Sequence, residues 1–249
     1  MSGHSKWSTI KRKKGAADAK RGKIFSRISK EITVAVKEGG SGDLEANPRL
    51  RLAVQNAKGA NMPKDNVDRA IKKGLGGDAG SYIEQSFEGY GSNGVAVFVE
   101  CLTDNQNRTV QEVRAAFSKY DGSLGTNGSL EFIFERKGVF SFPIPEGVDM
   151  EEFELEVIDG GAEEMEIDED FVSVTSAMED FGSLNKKLEE LGIEPENAEL
   201  QRIPNNTKTQ DDEGFKKVMR LIDALEDLDD VQKVWHNLEV ADGQEELIG

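Results

Sequence analysis

The sequence is poor in the side chains that build metal centres and covalent catalytic sites. Its 249 residues include one cysteine, Cys101, and two histidines, His4 and His236. A single cysteine excludes an intramolecular disulfide, which is typical of proteins from a reducing compartment. Neither histidine stands in a spacing typical of zinc or metalloprotease sites. The inventory therefore argues against a metalloenzyme and against a small disulfide-stabilised fold.

Common catalytic and nucleotide-binding motifs are also missing. No serine lies in a G-x-S-x-G context, and no segment matches the phosphate-binding pattern G-x-x-x-x-G-K-[ST]. Residues 89–94 match G-x-G-x-x-G, but an apolar strand, Val95–Leu102, follows them where a dinucleotide site requires a helix. The acidic clusters at 168–170 and 227–230 lack the full calcium-loop pattern, so we expect solvated turns there. We therefore expect a protein that is not an enzyme.

Long apolar runs are absent as well. No segment approaches the roughly 20 apolar residues that a membrane-spanning helix requires. The N-terminus is basic but lacks the apolar core of a secretory signal. We therefore expect a cytoplasmic protein without a membrane partner.

Charge is distributed very unevenly along the chain. The net charge is −17, yet residues 1–75 contain 18 Lys and Arg against 7 Asp and Glu. Residues 76–249 contain 13 Lys and Arg against 41 Asp and Glu. Such an asymmetry indicates a polyanionic partner for the basic segment. The acidic remainder would repel a polyanion and so limit indiscriminate binding.

The strongest candidate site lies in the basic segment. Within the first thirty residues, ten basic side chains are opposed only by Asp18. A merely solvated surface usually mixes both signs of charge, whereas phosphate binding accounts for the imbalance because it releases counterions. We predict that the nucleic-acid-binding residues are Lys6, Lys11, Arg12, Lys13, Lys14, Lys20, Arg21, Lys23, Arg27, Lys30, Arg49 and Arg51.

Apolar periodicity predicts that residues 1–75 form a small helical bundle after the basic arm. Ile24, Ile28, Ile32 and Val36 recur at four-residue spacing, as on one face of a helix. A second helix is predicted to begin at Asn47-Pro48, and a third at Pro63 that ends at Gly74. Residues 75–81 are expected to be a linker.

The periodicity changes after the linker. Two strands, a helix at Thr109–Tyr120 and a strand at Glu131–Arg136 are predicted first; Phe132 and Phe134 alternate in that last strand. Residues 137–207 then follow the order βαββαβ, which is a ferredoxin-like pattern. A final helix and a strand at Val231–Leu238 have no place in this complete pattern, so we expect them to pack with the earlier strands.

The predicted fold class is therefore α+β with three domains. The N-terminal helical bundle is followed by two α/β ferredoxin-like domains, the third inserted in the second. The predicted boundaries are 1–75 for the basic helical domain, 82–136 plus 208–240 for the discontinuous domain, and 137–207 for the inserted domain.

Several motifs resemble one known family. The chain contains Gly3-His4-Ser5-Lys6-Trp7, residues 18–25 (DAKRGKIF), residues 47–51 (NPRLR) and Asn61-Met62-Pro63. It continues with residues 88–91 (EGYG), Thr103-Asp104-Asn105 before Asn107-Arg108-Thr109, and Gly125 before Gly128-Ser129. In this order and over nearly the whole chain, these segments closely resemble the YebC/PmpR family. Departures are local: Gln106 stands where the family often has a basic residue, and Ser92-Asn93 replaces a usual Pro-Gly.

The resemblance implies a three-domain α+β protein with a helical N-terminal domain and no cofactor. Bacterial members of the family are usually labelled probable transcriptional regulators that bind DNA. Other members resemble translation factors that act on the ribosome, including at proline-rich stretches, and the mitochondrial member activates translation of cytochrome c oxidase subunit I. The partner is therefore expected to be DNA or ribosomal RNA, with the ribosome as a further possibility. We see no helix-turn-helix recognition helix, and we expect a monomer.

Overall fold

The computed structural model describes residues 18–76, 81–168 and 170–247, with the side chains of the first helix described from Arg21 onward. Within these ranges the chain combines α-helices with two four-stranded sheets, which confirms the predicted α+β fold class. The predicted linker, residues 75–81, lies largely outside the described residues.

The helices are α1 (Asp18–Gly39), α2 (Pro48–Gly59), α3 (Lys64–Leu75), α4 (Gln106–Lys119), α5 (Met150–Asp159), α6 (Phe181–Glu190) and α7 (Asp212–Glu226). The strands are β1 (Ile83–Tyr90), β2 (Ala96–Thr103), β3 (Ser123–Leu124), β4 (Phe134–Pro143), β5 (Ala162–Asp168), β6 (Phe171–Ala177), β7 (Asn197–Pro204) and β8 (Val231–His236).

The first three helices form a bundle around one apolar core. Ile32 and Val36 of α1 are buried with Leu50 of α2 and Ala70 of α3, as the four-residue spacing predicted. Asn47 organises the turn between α1 and α2. Its Oδ1 accepts a hydrogen bond from the Leu50 N–H at 3.1 Å, while its Nδ2 donates to the carbonyl of Ala35 at 2.8 Å and to that of Ser41 at 3.1 Å. The predicted N-cap thus also ties α2 to the last turns of α1.

The first sheet has the strand order β3-β1-β2-β8. Strands β1 and β2 pair antiparallel from Ile83↔Thr103 to Tyr90↔Ala96, and β8 pairs antiparallel with the other edge of β2. Side chains of α4 and α7 share one core with β1, β2 and β8. The C-terminal helix and strand therefore pack with the earlier strands, as expected for a discontinuous domain.

The second sheet has the strand order β5-β6-β4-β7 and belongs to a βαββαβ unit, which is the predicted ferredoxin-like pattern. Phe140 and Phe142 of β4 are buried with Phe153 of α5 and Leu184 of α6. Strand β6 alternates buried and half-buried residues, because one face of the sheet carries the two helices.

The predicted strand Glu131–Arg136 is wrong in its bounds. Strand β4 begins at Phe134 and continues to Pro143, so it joins what the sequence suggested were two strands. Residues 129–133 form a turn instead. The Phe132 side chain is 72% exposed whereas Phe134 is buried, so the alternation of the two phenylalanines does not reflect a strand. The backbone turns here because the Leu130 N–H donates to the Glu88 carboxylate, a contact between residues 42 positions apart.

The expectation that residues 227–230 form a solvated turn is wrong for Asp230. Its side chain is buried and accepts hydrogen bonds from Thr103 Oγ1 at 3.1 Å, Thr109 Oγ1 at 2.9 Å and Arg108 Nη2 at 2.6 Å. Hydrogen bonds to Asp230 and then to Asp104 raise the pKa of Arg108 above its ordinary value. A charged pair of this kind explains how one carboxylate of an acidic cluster is buried.

The helical bundle and the inserted domain belong to one compact unit, residues 18–76 with 136–201. Residues 81–135 and 202–247 form the other unit. In the first unit, the Asn56 amide donates to the Ala198 carbonyl and accepts from the Ala198 N–H, both at 2.9 Å. Because β7 is an edge strand, these bonds satisfy backbone groups that a sheet edge leaves unpaired. No local sequence pattern indicated this contact between α2 and β7, and the three domain boundaries stay a prediction.

Deleting residues 213–249 should unfold the first sheet and spare the second. The deletion removes α7 and β8, and with them buried Phe215, Val218 and Ile222. Each such side chain contributes about 1.5–3 kcal/mol, against a domain stability of about 5–15 kcal/mol. Amide hydrogen exchange should then lose protection in β1 and β2 and keep it in β4 and β6. Equal protection of all four strands would contradict the discontinuous domain.

Replacing Asp230 with alanine should lower the free energy of unfolding by about 1–3 kcal/mol, because it leaves the buried hydroxyls of Thr103 and Thr109 without this acceptor. The control is Asp229→Ala, which changes an exposed carboxylate of the same cluster and should stay within about 0.5 kcal/mol. Urea denaturation of both variants measures the difference. Similar values for the two variants would show that the buried network contributes little.

Gly59 and Gly22 form a matched pair for testing the close contact between α2 and the residue that precedes β7. A Cβ at Gly59 would lie 1.8 Å from the backbone oxygen of Glu196, whereas a Cβ at Gly22 has no atom within 4 Å. Gly59→Ala should therefore destabilise the protein by about 1–3 kcal/mol through overpacking. Gly22→Ala should stabilise α1 by about 0.5–1 kcal/mol, because glycine is a poor helix former. A Gly59→Ala variant that is no less stable than the native protein in urea denaturation would show that the close approach is not a real constraint.

Candidate nucleic-acid interface

The predicted site residues divide into three groups in the structure. Lys6, Lys11, Arg12, Lys13 and Lys14 lie outside the described residues. A second group, Lys20, Arg21, Lys23, Arg27 and Lys30, lies on α1, with Lys20 in its first turn. Arg49 and Arg51 lie on α2.

Three basic residues of α1 form a stripe. Lys23, Arg27 and Lys30 are separated by four and three positions, so their side chains share one face of the helix. At 3.6 residues per turn, Ile28 and Ile32 project from the opposite side, where they contribute to the core with α2 and α3. Lys23 is exposed, and Arg27 and Lys30 are half-buried. The sequence of α1 thus separates a positive face from an apolar face.

Arg21 lies outside this stripe. It precedes Phe25 and Ile28 by four and seven positions and therefore shares their side of α1, one turn before the core begins. Its side chain is exposed. The structure thus spreads the basic residues at the start of α1 over more than one face of the helix.

The arginines of α2 make ion pairs within the bundle. Arg49 Nε donates to Glu31 Oε1 at 2.8 Å, and Arg49 Nη1 pairs with Glu38. Arg51 Nη1 lies 3.8 Å from Glu45 Oε2. Arg49 thereby links α2 to α1, and two carboxylates balance its charge. Glu31 is 18 positions away along the chain, so no local sequence signal could have revealed this partner.

Helix α3 adds basic residues that the predicted set omitted. Lys64, Arg69, Lys72 and Lys73 are exposed. The Arg69 guanidinium donates within its own helix, to the Asp65 carbonyl at 3.1 Å and to Asn66 Oδ1. Lys72 and Lys73 lie in the last turn, where positive charge suits the helix dipole. The sequence signal that could have identified these residues of α3 was the excess of basic residues over the whole of 1–75. For Lys72 and Lys73, stabilisation of the helix dipole is by itself a sufficient explanation.

The described part of the bundle presents long cationic side chains on convex helical surfaces. This geometry suits contacts with a phosphate backbone, because each phosphate contact needs a long positively charged side chain rather than an enclosing pocket. Among the described residues, no three His, Cys, Asp or Glu side chains are grouped so as to hold a metal ion. None of the described helices combines the length and apolarity of a membrane span.

Two models of known protein families match almost the whole chain. Residues 5–77 match the family model of the TACO1/YebC protein N-terminal domain, and residues 82–238 match that of the TACO1/YebC second and third domain. The chain belongs to the TACO1/YebC family. This confirms the resemblance inferred from the motifs, and the boundary between the two family models falls within the predicted linker.

Relatives in the TACO1/YebC family are similar over their full length. A probable transcriptional regulatory protein of Amoebophilus asiaticus is 55% identical, over 96% of this chain and 98% of the relative. A protein of the same description from Thermotoga petrophila is 48% identical, over 100% of this chain and 98% of the relative. The crystal structure of a conserved hypothetical protein from Aquifex aeolicus superposes with a TM-score of 0.80 at 42% identity, over 90% of this chain and 93% of that one.

Proposed function

We propose that this protein is a non-enzymatic regulator of gene expression that binds nucleic acid through its basic N-terminal domain. The observation that carries the proposal is the charge split, with 18 Lys and Arg against 7 Asp and Glu in residues 1–75 of a chain whose net charge is −17. The descriptions of its relatives as probable transcriptional regulatory proteins support the same role. The proposed primary target is DNA.

The face of α1 opposite the core is the proposed centre of the interface. Lys23, Arg27 and Lys30 neutralise phosphates along one face, while the apolar side holds α1 on the bundle. Arg21 and the basic residues that precede α1 extend the contact. Each phosphate neutralised releases counterions, which favours binding at low salt.

Arg49 and Arg51 have different roles in the proposed interface. Arg49 positions α1 and α2 through Glu31 and Glu38, and it contacts phosphate only where a phosphate replaces one of these carboxylates. Arg51 is more exposed, and its pair with Glu45 is long enough for a phosphate to compete with it. Both residues thus remain part of the proposed interface, with Arg51 the more direct contact.

The acidic remainder of the chain is proposed to orient the protein by electrostatic repulsion. Residues 76–249 contain 41 Asp and Glu against 13 Lys and Arg, so they repel a polyanion. Repulsion of the acidic part and attraction of the basic part orient the protein during its approach. The single cysteine fits a cytoplasmic location, and we propose that the protein acts there as a monomer.

A second candidate function is that of a translation factor that binds ribosomal RNA and assists elongation through proline-rich stretches. The observation in its favour is the composition of the basic face, which is rich in Lys and Arg but has few Asn or Gln residues placed to read adenine edges. Phosphate contacts position a protein without reading sequence, so such a face suits recognition of a folded RNA by its shape.

Charge reversal of the stripe tests the proposed interface. Lys23→Glu, Arg27→Glu and Lys30→Glu in one full-length variant should lower the magnitude of the log–log salt slope of duplex binding by up to about 3, since each lost phosphate contact removes about 0.9. The control reverses three exposed basic residues outside the bundle, Lys186, Lys216 and Arg220, and so changes the net charge equally. Equal losses in the two variants would contradict a site on α1.

Competition among promoter DNA, random DNA and purified ribosomes for the labelled protein separates the two functions. A transcriptional regulator should prefer its promoter over random DNA by about 10³-fold or more at physiological salt. Ribosome binding that is lost in the stripe variant, together with equal binding of the two DNAs, would support the translation factor and overturn the promoter-specific role.

A further inference from the structure

Phe132 is the most exposed large apolar side chain that the structure describes. It is 72% exposed, and Leu155 of α5 follows at 68%. Single exposed apolar residues are common on protein surfaces and need no function. Phe132 lies in a turn rather than in a helix or a strand, yet its backbone is fixed on both sides by specific contacts.

The segment before Phe132 is held by a buried carboxylate. Glu88 of β1 is 5% exposed, and its Oε1 accepts from the Gly128 N–H at 2.7 Å while its Oε2 accepts from the Leu130 N–H at 2.6 Å. The Glu88 carbonyl also accepts from the Gly125 N–H at 2.7 Å. Hydrogen bonds to a charged acceptor are strong, so the glycine-rich loop has a defined shape.

The residues around Phe132 are equally constrained. Leu130 and Ile133 are buried in a core on the sheet, together with Phe98 and Trp235. Asn205 donates its backbone N–H to the Ile133 carbonyl at 2.8 Å and its Nδ2 to the Phe132 carbonyl at 3.3 Å. The fold thus presents an aromatic ring to solvent on an ordered backbone, which lowers the entropy lost when that ring is buried by a partner.

Charge around this ring favours a basic partner. Glu131 and Glu135 are exposed within three positions of Phe132 along the chain, and the exposed Arg136 follows them. The described residues of the compact unit that carries the loop, 81–135 and 202–247, contain 20 Asp and Glu against 9 Lys and Arg. This surface repels phosphates, so it is unsuited to nucleic acid, whereas a positively charged protein surface is complementary to it.

We propose that Phe132 is the anchor of a protein-docking surface whose partner is a basic protein with an apolar pocket for the ring. Aromatic residues that fill a pocket contribute much of the binding energy at protein interfaces, and flanking charges select the partner. The proposal uses none of the predicted nucleic-acid-binding residues, so it does not depend on nucleic-acid binding.

Site-specific photo-crosslinking in cells tests the proposal with the full-length chain. The photoreactive residue p-benzoylphenylalanine replaces Phe132 in one variant and Leu155, which is nearly as exposed, in the control. We expect position 132 to give one dominant adduct, with a polypeptide identified by mass spectrometry as basic, and position 155 not to give it. An adduct destroyed by nuclease, an adduct with a protein that is not basic, or a yield no greater than at position 155 would overturn the proposal.

Binding of the identified protein, purified, provides the second measurement. Phe132→Ala should weaken binding at least about tenfold, Phe132→Tyr should retain it, and Leu155→Ala should change it less than about twofold. The double variant Glu131→Lys with Glu135→Lys should also weaken binding. The control, Glu154→Lys with Glu189→Lys, reverses two exposed carboxylates elsewhere and should not weaken binding. Equal effects of Phe132→Ala and Leu155→Ala, or of the two charge reversals, would overturn the proposal.

Discussion

The buried carboxylate of Asp230 closes the discontinuous domain. It accepts hydrogen bonds from Thr103 at the end of β2 and from Arg108 and Thr109 in the first turn of α4. The Asp230 carbonyl accepts from the Leu102 N–H at 2.8 Å, so backbone and side chain both bind the same corner of the sheet. These contacts join residues more than 120 positions apart. This corner holds the returning chain beside the apolar core that α7 and β8 share with β1 and β2.

Opposite charges lie on parts of the chain that fold differently. The basic residues concentrate in a helical bundle, where one face of α1 can be positive because the other is apolar. The acidic residues lie mostly in the two sheet domains, whose cores are apolar and whose surfaces tolerate charge. The proposed nucleic-acid contact and the proposed protein contact at Phe132 therefore use surfaces of opposite sign.

Much of the fold could be predicted because its periodicities are local and regular. The apolar faces of α1 and α7 each follow from residues within a single element, and the βαββαβ order follows from the succession of such elements. The incorrect strand at Glu131–Arg136 shows the limit of this reasoning. Phe132 and Phe134 alternate like strand residues, but a hydrogen bond from Leu130 to distant Glu88 turns the backbone. The candidate site was predictable as a charge excess, whereas the pairing of Arg49 with Glu31 was not.

The sequence by itself determined most of the element types, the α+β class, the return of the C-terminus and the basic character of the first domain. Each of these depends on the spacing of apolar residues or on the sum of charges, and both are properties of the linear chain. Tertiary structure alone decided which charged and polar groups face one another: Asp230 with Arg108, Arg49 with Glu31, and Glu88 with backbone N–H groups of the loop that presents Phe132. The physical reason is that a hydrogen bond or ion pair depends on distance in space, and folding brings together groups that the linear chain holds apart.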